Sequence, residues 1–429
     1  MRNEQSIAAL MAQTRDRMGQ VFTSNQVLGR LQTIGCVAVE ITQKCNLDCT
    51  LCYLSEHSQA VQDIPIEEVY RRLDDVVKHF GKGAHVQITG GDPTLRKHTE
   101  LIEIVRYARN IGLYPALFTN GIAATAELLK TLAAAGLCDV AFHVDTTQKR
   151  QGFADEIGLN AIREEYIQRA RGTGLNVIFN TTVHKDNFAE IPALVEFFKS
   201  HADVVGLASF QLQAETGRGE WGSRDVIISQ KTVQRQLESG LQQELPWDVM
   251  QVGHSECHNY LPMMIVNDRA FPLADDKVFF ADFIRDFSDI NWDRHDHPLK
   301  LIGSFLWATL LRPVWWPRLL KRLAKYVRSM GLDFIKARGR AHKLTFFVQN
   351  FMDASALNME RVHACSFMVM TAQGPVSMCE HNARRDDFIL QPLELHRDGQ
   401  VINYQPFNER RRQSAPDAAK IIPALLIKD

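Results

Sequence analysis

Residues 36–53 read CVAVEITQKCNLDCTLCY. The first seven, Cys36–Thr42, are rich in Val and Ile and short enough for a buried strand. Cys45, Cys49 and Cys52 follow in the spacing C-x3-C-x2-C, closed by the aromatic Tyr53. Thiolates are the ligands of iron–sulfur clusters, and three of them on a four-iron cubane leave one iron open. An open position is what a catalytic metal centre keeps for substrate. Two blander readings stand beside this one: a zinc site with a distant fourth ligand, and three unligated thiols.

Five more β-type runs follow: His85–Thr89, Tyr114–Thr119, Val140–Asp145, Asn176–Val183 and Val204–Gln211. Helical patterns separate them. Ile66–Phe80 places Val69, Leu73, Val76, Val77 and Phe80 at helical spacing behind Pro65, a good helix-entry residue. Glu100–Ile111, Ala124–Ala135, Leu159–Gly172 and Glu190–Lys199 continue the rhythm, with Gly112, Gly136 and Gly174 where C-caps belong. Strand–helix alternation without hairpin signals predicts parallel strands joined by right-handed crossovers. The expected fold class is α/β: a partial (β/α)6 barrel over 36–213, after an N-terminal helical segment over 1–35. A C-terminal region over 214–429 completes the chain, with an insertion at 275–345. In a barrel of this kind chemistry belongs on the loops after the C-terminal strand ends.

Those loops carry polar residues. The second strand runs into Thr89-Gly90-Gly91-Asp92-Pro93-Thr94. Two glycines let backbone approach a ligand closely, and exposed carbonyls and a carboxylate accept hydrogen bonds from an ammonium. Alone, the segment reads as a turn. Thr119-Asn120-Gly121 follows the third strand, and His143 and Asp145 close the fourth. Asn180 and Thr182 lie on the fifth, Gln211 and Gln213 on the sixth. Polar groups inside apolar runs need partners, which are either a ligand or the barrel itself.

With CNLDCTLCY and the GGDP segment together, the chain resembles the radical S-adenosylmethionine (SAM) enzymes over roughly residues 36–213. The resemblance implies a 4Fe–4S cluster on Cys45, Cys49 and Cys52, with SAM chelating the open iron. One electron, from a donor such as flavodoxin or ferredoxin, would cleave SAM to a 5′-deoxyadenosyl radical that abstracts hydrogen from substrate. Tyr53 stands at the usual aromatic position, and Gly90, Gly91, Asp92 and Pro93 match the segment that meets the SAM amino group. Asn120, Asp145, Asn180 and Gln211 become further cofactor candidates. Asp145 suits ribose hydroxyls and Asn180 the methionyl carboxylate.

Composition bounds the rest. In 429 residues, 49 Lys+Arg against 50 Asp+Glu exclude a globally basic nucleic-acid binder, so no nucleic acid partner is expected. A 45% hydrophobic and 23% charged composition is that of a globular protein with a sizeable core. The N-terminus lacks a secretory pattern, and Leu301–Leu311 is about half the ~20 apolar residues of a membrane span. The expected location is the cytoplasm, where cysteines stay reduced. Of the eight cysteines, Cys36 and Cys138 open apolar runs and read as buried hydrophobes. Cys257, Cys365 and Cys379 instead keep company with His254, His258, His363 and His381. Soft thiolates beside imidazoles are metal-site composition. A second iron–sulfur cluster on these three competes with three unrelated thiols.

A closer resemblance bears on this. FMDASALNMERVHAC at 351–365, GPVSMCEHN at 374–382, TGRG at 216–219 and HSECH at 254–258 are similar to one radical SAM group. It holds archaeal tetraether-lipid synthases and methyltransferases of a hydroxymethylpterin, whose members bind extra clusters through C-terminal cysteines. The chain departs from the lipid synthases in lacking paired CxxC knuckles.

Finally, residues 312–343 hold ten Lys/Arg and one acid, Asp333. Leu319, Leu323, Val327, Met330 and Phe334 recur at helical spacing. Arg318, Lys321, Arg322, Lys325 and Arg328 occupy other faces, and Trp307, Trp315 and Trp316 lie upstream. Basic, amphipathic and tryptophan-flanked describes a helix lying in an anionic membrane surface, here the inner face of the cell membrane. The alternatives are packing on the barrel, pairing with the acidic stretch 275–296, or a local nucleic-acid patch. The expected function is hydrogen abstraction from an unactivated carbon, with a lipid chain the simplest substrate if the membrane reading holds. Methyl transfer to a pterin-like small molecule is the second reading. A non-catalytic iron–sulfur or zinc sensor or scaffold is the third.

Overall fold

The computed structural model describes residues 6–219, 224, 226, 228–290, 297–397 and 400–407. The surface tail expected at 409–429 lies outside the described residues, as do Trp221, Asp225 and the end of the acidic stretch. Strands β1 (Cys36–Thr42), β2 (His85–Gly90), β3 (Tyr114–Thr119), β4 (Asp139–His143), β5 (Asn176–Val183) and β6 (Val205–Leu212) fall within two residues of their expected bounds. Helix α1 (Ile7–Met18) precedes them. Between them run α2 (Ile66–Phe80), α3 (His98–Asn110), α4 (Ala126–Ala134), α5 (Asn160–Ala170) and α6 (Ile191–Ser200), and α7 (Gln230–Leu241) follows.

The second half adds what the β/α rhythm did not predict. Strands β7 (His258–Val266), β8 (Arg269–Pro272), β9 (His342–Asn350), β10 (Phe367–Thr371) and β11 (Gly374–Ser377) all join the same sheet. Its order is β11-β10-β1-β2-β3-β4-β5-β6-β9-β7-β8. β10 lies parallel beside β1 and β9 parallel beside β6, so the parallel core extends beyond the six expected strands at both edges. β7, β8 and β11 pair antiparallel. β7 and β10 then face each other through rings: His258 stands 4.8 Å edge-on to Phe367, which lies 5.9 Å from Phe347. The described strands after residue 213 thus extend the sheet at both ends and bring those ends into ring contact. A hairpin of β12 (Leu393–Arg397) and β13 (Gln400–Tyr404) stands apart from this sheet.

Period-two alternation along each strand divides the side chains. One set, including Val37, Val39, Ile41, Leu117, Phe142 and Phe179, packs outward under the helices as the main hydrophobic core. The inward set is smaller or polar, including Ala38, Gln87, Ala116 and Ala141, and lines a cavity of about 1300 Å³. The largest apolar burial thus lies between sheet and helices, and the axis is left open.

The insertion forms α8 (Lys277–Asp286), α9 (Pro298–Leu310) and α10 (Trp315–Lys336). Phe279, Phe283, Phe287, Phe305 and Trp315 make its own small aromatic core. The acidic stretch claims part of the basic face. Asp275 takes Arg322 and Lys325, Asp282 takes Arg318, and Asp289 takes Arg312. The expected apolar stripe packs only in part: Met330 is buried against Val266 of β7 and Phe271 of β8, and Leu319 meets the aromatic core, while Leu323, Val327 and Phe334 are exposed.

One buried pair fixes the end of β4. Arg163 on α5 is enclosed completely with Glu156. It donates to Val144 O at 2.7 Å and Asn160 Oδ1 at 2.8 Å. Burial lowers the Arg163 pKa and raises that of Glu156. Arg163→Met should cost about 3–5 kcal/mol, because it strands a buried carboxylate. Adding Glu156→Leu should recover most of that loss. Urea denaturation midpoints measure both; a single-variant loss below about 1 kcal/mol, typical of an exposed pair, would contradict this account.

Candidate functional site

The cysteine loop leaves β1 at Thr42 and is stitched to the loop after β2. Gly91 N–H donates to Thr42 O at 2.8 Å, and Asp92 N–H to Lys44 O at 2.7 Å. A Cβ on Gly90 would sit 1.9 Å from Thr42 O, and one on Gly91 2.0 Å from Lys44 O. Gly90 also has φ 120°. Both glycines are therefore required by backbone meeting backbone, a reason the sequence reading gave to a ligand. The Tyr53 hydroxyl donates to Gly90 O at 2.7 Å and adds a third tie.

Asp92 is almost wholly buried. Its Oδ1 accepts from Thr94 N–H and the Thr94 hydroxyl, the Thr119 hydroxyl reaches both oxygens, and Oδ2 accepts from Asn120 N–H. A carboxylate offers about four lone-pair sites, and these are nearly spent. Asp92 clamps the ends of β2 and β3 while lining the cavity. Pro93 is buried and starts the short turn that Asp92 caps. Asn120 faces the cysteine loop: its amide nitrogen lies 2.6 Å from Asn46 Oδ1 and 3.8 Å from Cys45 Sγ.

Asp145 is held in a similar way. It is fully buried and accepts from Thr147 N–H and hydroxyl, Thr182 N–H, and His143 Nε2 at 2.6 Å. No ribose-facing oxygen remains; the cavity meets His143 instead. Burial opposes charge on the His143 ring, but the Asp145 carboxylate outweighs it and raises the pKa above the ordinary value. Asn180 and Gln211 line the cavity wall, as do Gly90, Gly91, Asn120 and Tyr53.

The three thiols of the loop are half-buried and line the same cavity, and Cys52 contributes to raising the pKa of both Cys45 and Cys49. For Cys49 burial is the largest cause, followed by Asp145, Cys52 and Cys45. Over them lies the loop that sequence reading singled out only as a glycine motif. A Cβ on Gly217 would sit 2.3 Å from the Tyr53 carbonyl carbon, so this glycine lets residues 216–219 press onto Cys52–Tyr53. Arg218 is thereby brought to Asp48 (3.3 Å), Leu47 O (3.2 Å) and the Cys52 thiol. Its Nε is buried without a hydrogen-bond partner. Three converging thiols under a guanidinium with a spare donor fit an anionic cluster. The signal for Arg218 was present as G-R-G, but nothing local said what the glycines approached.

Cys257, Cys365 and Cys379 are buried, and Cys365 contributes to raising the pKa of both Cys257 and Cys379. Cys257 accepts from Arg361 Nε at 3.2 Å; burial pushes its pKa up to about 11 and that of Cys379 to about 12. Cys365 donates to Phe367 O at 2.8 Å, and Cys379 opens onto the main cavity. His258, between the Phe347 and Phe367 rings, has its pKa pushed down to about 3 by burial and then Arg361, and its Nδ1 has no partner. His254 faces Glu360 at 3.6 Å, and His381 stacks on Phe388. Among the described residues, no three His, Cys, Asp or Glu side chains gather tightly enough for a single metal ion.

Comparison with known proteins bears on this geometry. Residues 39–198 match the family model described as the Radical SAM superfamily. The 7,8-dihydro-6-hydroxymethylpterin dimethyltransferase of Methanocaldococcus jannaschii is 29% identical over 186 residues, 42% of this chain and 36% of that protein. The PqqA peptide cyclase of Bradyrhizobium diazoefficiens is 31% identical over 165 residues, 37% and 42% of the two chains. The Fe-coproporphyrin III synthase of Methanosarcina barkeri is 30% identical over 173 residues, 38% and 40%. The chain thus spans less than half the length of each of these relatives.

Asp145→Asn should lower the His143 pKa, since an opposite charge in contact is removed. Histidine NMR titration reads the shift. The sign for stability follows from the raised value. The pair's contribution is complete below the ordinary histidine pKa of about 6.5, and it is lost as pH climbs through the folded-state value. An unmoved His143 titration would refute the pairing.

Proposed function

We propose, on the premise that residues 39–198 are a radical SAM domain, that this enzyme abstracts hydrogen from an unactivated carbon of a membrane lipid. The chain's own residues divide the work. Cys45, Cys49 and Cys52 would hold the 4Fe–4S cluster, and binding must displace their protons because burial favours the thiols. Arg218 offsets the negative charge gathered there, and Asn120 points its amide at Cys45. Asn180 and Gln211 present amides to the cavity where SAM would lie, and His143, held in one orientation by Asp145, offers a charged donor. When bound, the cluster and SAM supply a carbon-centred radical under reduction. Cys257, Cys365 and Cys379 would hold a second cluster, with His258 Nδ1 as its fourth donor.

One observation carries the lipid reading: the outer face of the α9–α10 hairpin. Leu299, Val314, Leu332 and Ile335 are each more than 70% exposed, and Ile302, Leu306, Trp307, Trp316, Leu320, Leu323 and Val327 join them. Exposed apolar side chains in this number on one hairpin favour an interaction site, and the exposed Lys321 and Arg328 among them favour an anionic bilayer. No described helix is long and apolar enough to cross a membrane. The hairpin therefore suits lying in one leaflet. The pterin reading needs no such face.

Two experiments test this. In reconstituted protein, replacing Cys45, Cys49 and Cys52 by Ala should abolish 5′-deoxyadenosine formation under reduction; undiminished formation would end the radical SAM assignment of these thiols. Separately, the chain should float with phosphatidylglycerol vesicles. Lys321→Glu with Arg328→Glu should weaken binding roughly tenfold or more, at about 1 kcal/mol per basic residue. Arg322 is unsuitable for this purpose, being committed to Asp275. Absence of flotation would remove the lipid reading.

A further inference from the structure

The cavity that reaches the cysteine loop does not end there. Its lining includes residues at the C-terminal strand ends, such as Gly91, Asn120 and Gln211, and residues at the N-terminal strand ends, such as Gly112, Gly174 and Lys343. Gly83, Gly174 and Lys343 are exposed, so the cavity meets solvent at that lower end as well. In a closed β/α barrel, layers of bulky Val, Ile and Leu fill the interior. Here the middle layer offers Ala38, Ala116 and Ala141 beside Ile178, Leu207 and Phe347. Gln87, in register with Ala38 and Ala116, and Asp139, in register with Ala116, point inward at the same depth, but both are engaged. Gln87 donates to Cys36 Sγ at 2.9 Å and Asn176 to Asp139 at 2.7 Å. What remains is an axial bore, apolar at mid-depth and open at both ends.

We propose that this bore holds one acyl chain of a membrane lipid, threaded from the lower mouth toward the cysteine loop. Three features choose that occupant. The first is continuity with the hairpin. Leu273 lines the bore, and its carbonyl accepts from the Tyr326 hydroxyl of α10 at 2.8 Å. The second is size. The cavity, at about 1300 Å³, exceeds the roughly 300–1000 Å³ of an ordinary small-ligand pocket, which leaves room for a chain besides the cofactor. Strands of six residues make the bore about 20 Å deep. A single leaflet's chains span about 15 Å of hydrocarbon. The third is charge: Lys343 stands at the lower mouth, suited to an anionic headgroup, while the wall above it carries no unpaired charge of its own among Ala38, Ala116, Ala141, Ile178 and Leu207. Against that layer a peptide or a pterin would find few free partners for its polar groups, the Ser209 hydroxyl beside Phe347 being one.

This inference rests on the lipid reading but fails separately from it. The probe is cis-parinaric acid, a fluorescent long-chain fatty acid, displaced by saturated fatty acids of increasing length from anaerobically reconstituted full chain. Affinity should rise about fourfold per methylene until the bore is filled and then level off. Ala116→Phe and Ala141→Phe, which plug the middle layer, should reduce long-chain affinity at least roughly tenfold while leaving short-chain competition and vesicle flotation in place. Affinity without chain-length dependence would overturn the bore, and so would unchanged long-chain binding in a folded plugged variant. The length series on the unmodified chain stands if the Phe variants do not fold. Loss of vesicle flotation in the unmodified chain would instead strike the lipid reading itself.

Discussion

Two backbone hydrogen bonds, Gly91 N–H to Thr42 O and Asp92 N–H to Lys44 O, hold the rest of the site in register. They force the loop after β2 against the loop after β1, at a distance only glycine allows. From that contact the other positions follow. Asp92 is buried by it and can clamp Thr119 and Asn120 from β3. Asn120 then meets the cysteine loop, and Tyr53 closes back on Gly90. Three strand ends are tied into one rigid floor, on which three thiols converge without a metal holding them. Preorganisation of this kind lowers the ordering cost that a cluster would otherwise have to meet.

The charges of the insertion follow a different logic. The sequence places ten basic residues in one stretch, and a reading by composition treats them alike. The fold sorts them. Arg312, Arg318 and Arg322 turn inward to Asp289, Asp282 and Asp275 and fasten α10 to the segment before it. Lys321 and Arg328 remain on the surface among exposed leucines and tryptophans. The inward pairs make the hairpin a defined body, and the outward residues give it a sign.

Much of this was legible in the sequence because it was local. Strands β1, β3 and β5 and helix α2 match their expected bounds, since period-two and helical apolar spacing decide them without help from afar. The cysteine loop announced itself by spacing. What sequence reading missed is long-range. β9 and β10 become barrel strands only by pairing with β6 and β1, some 140 and 330 residues distant in their registers, for which no local pattern speaks. Asp92 and Asp145 looked like ligand groups because a carboxylate at a strand end is ambiguous until its donors are known. Thr119, Thr147 and Thr182 supply those donors from neighbouring strands, and the same dependence on distant partners hid what Arg218 meets.

The seam between β7 and β10 has a further consequence. A ladder of hydrogen bonds closes a barrel in discrete steps, because strand number and shear fix its diameter. Rings have no register. With His258, Phe347 and Phe367 as the closure, the circumference is set by side-chain size and is continuously adjustable. A smaller or larger ring at 367 would narrow or widen the barrel without shifting a single strand pair, so calibre and topology can vary independently in descendants of this chain.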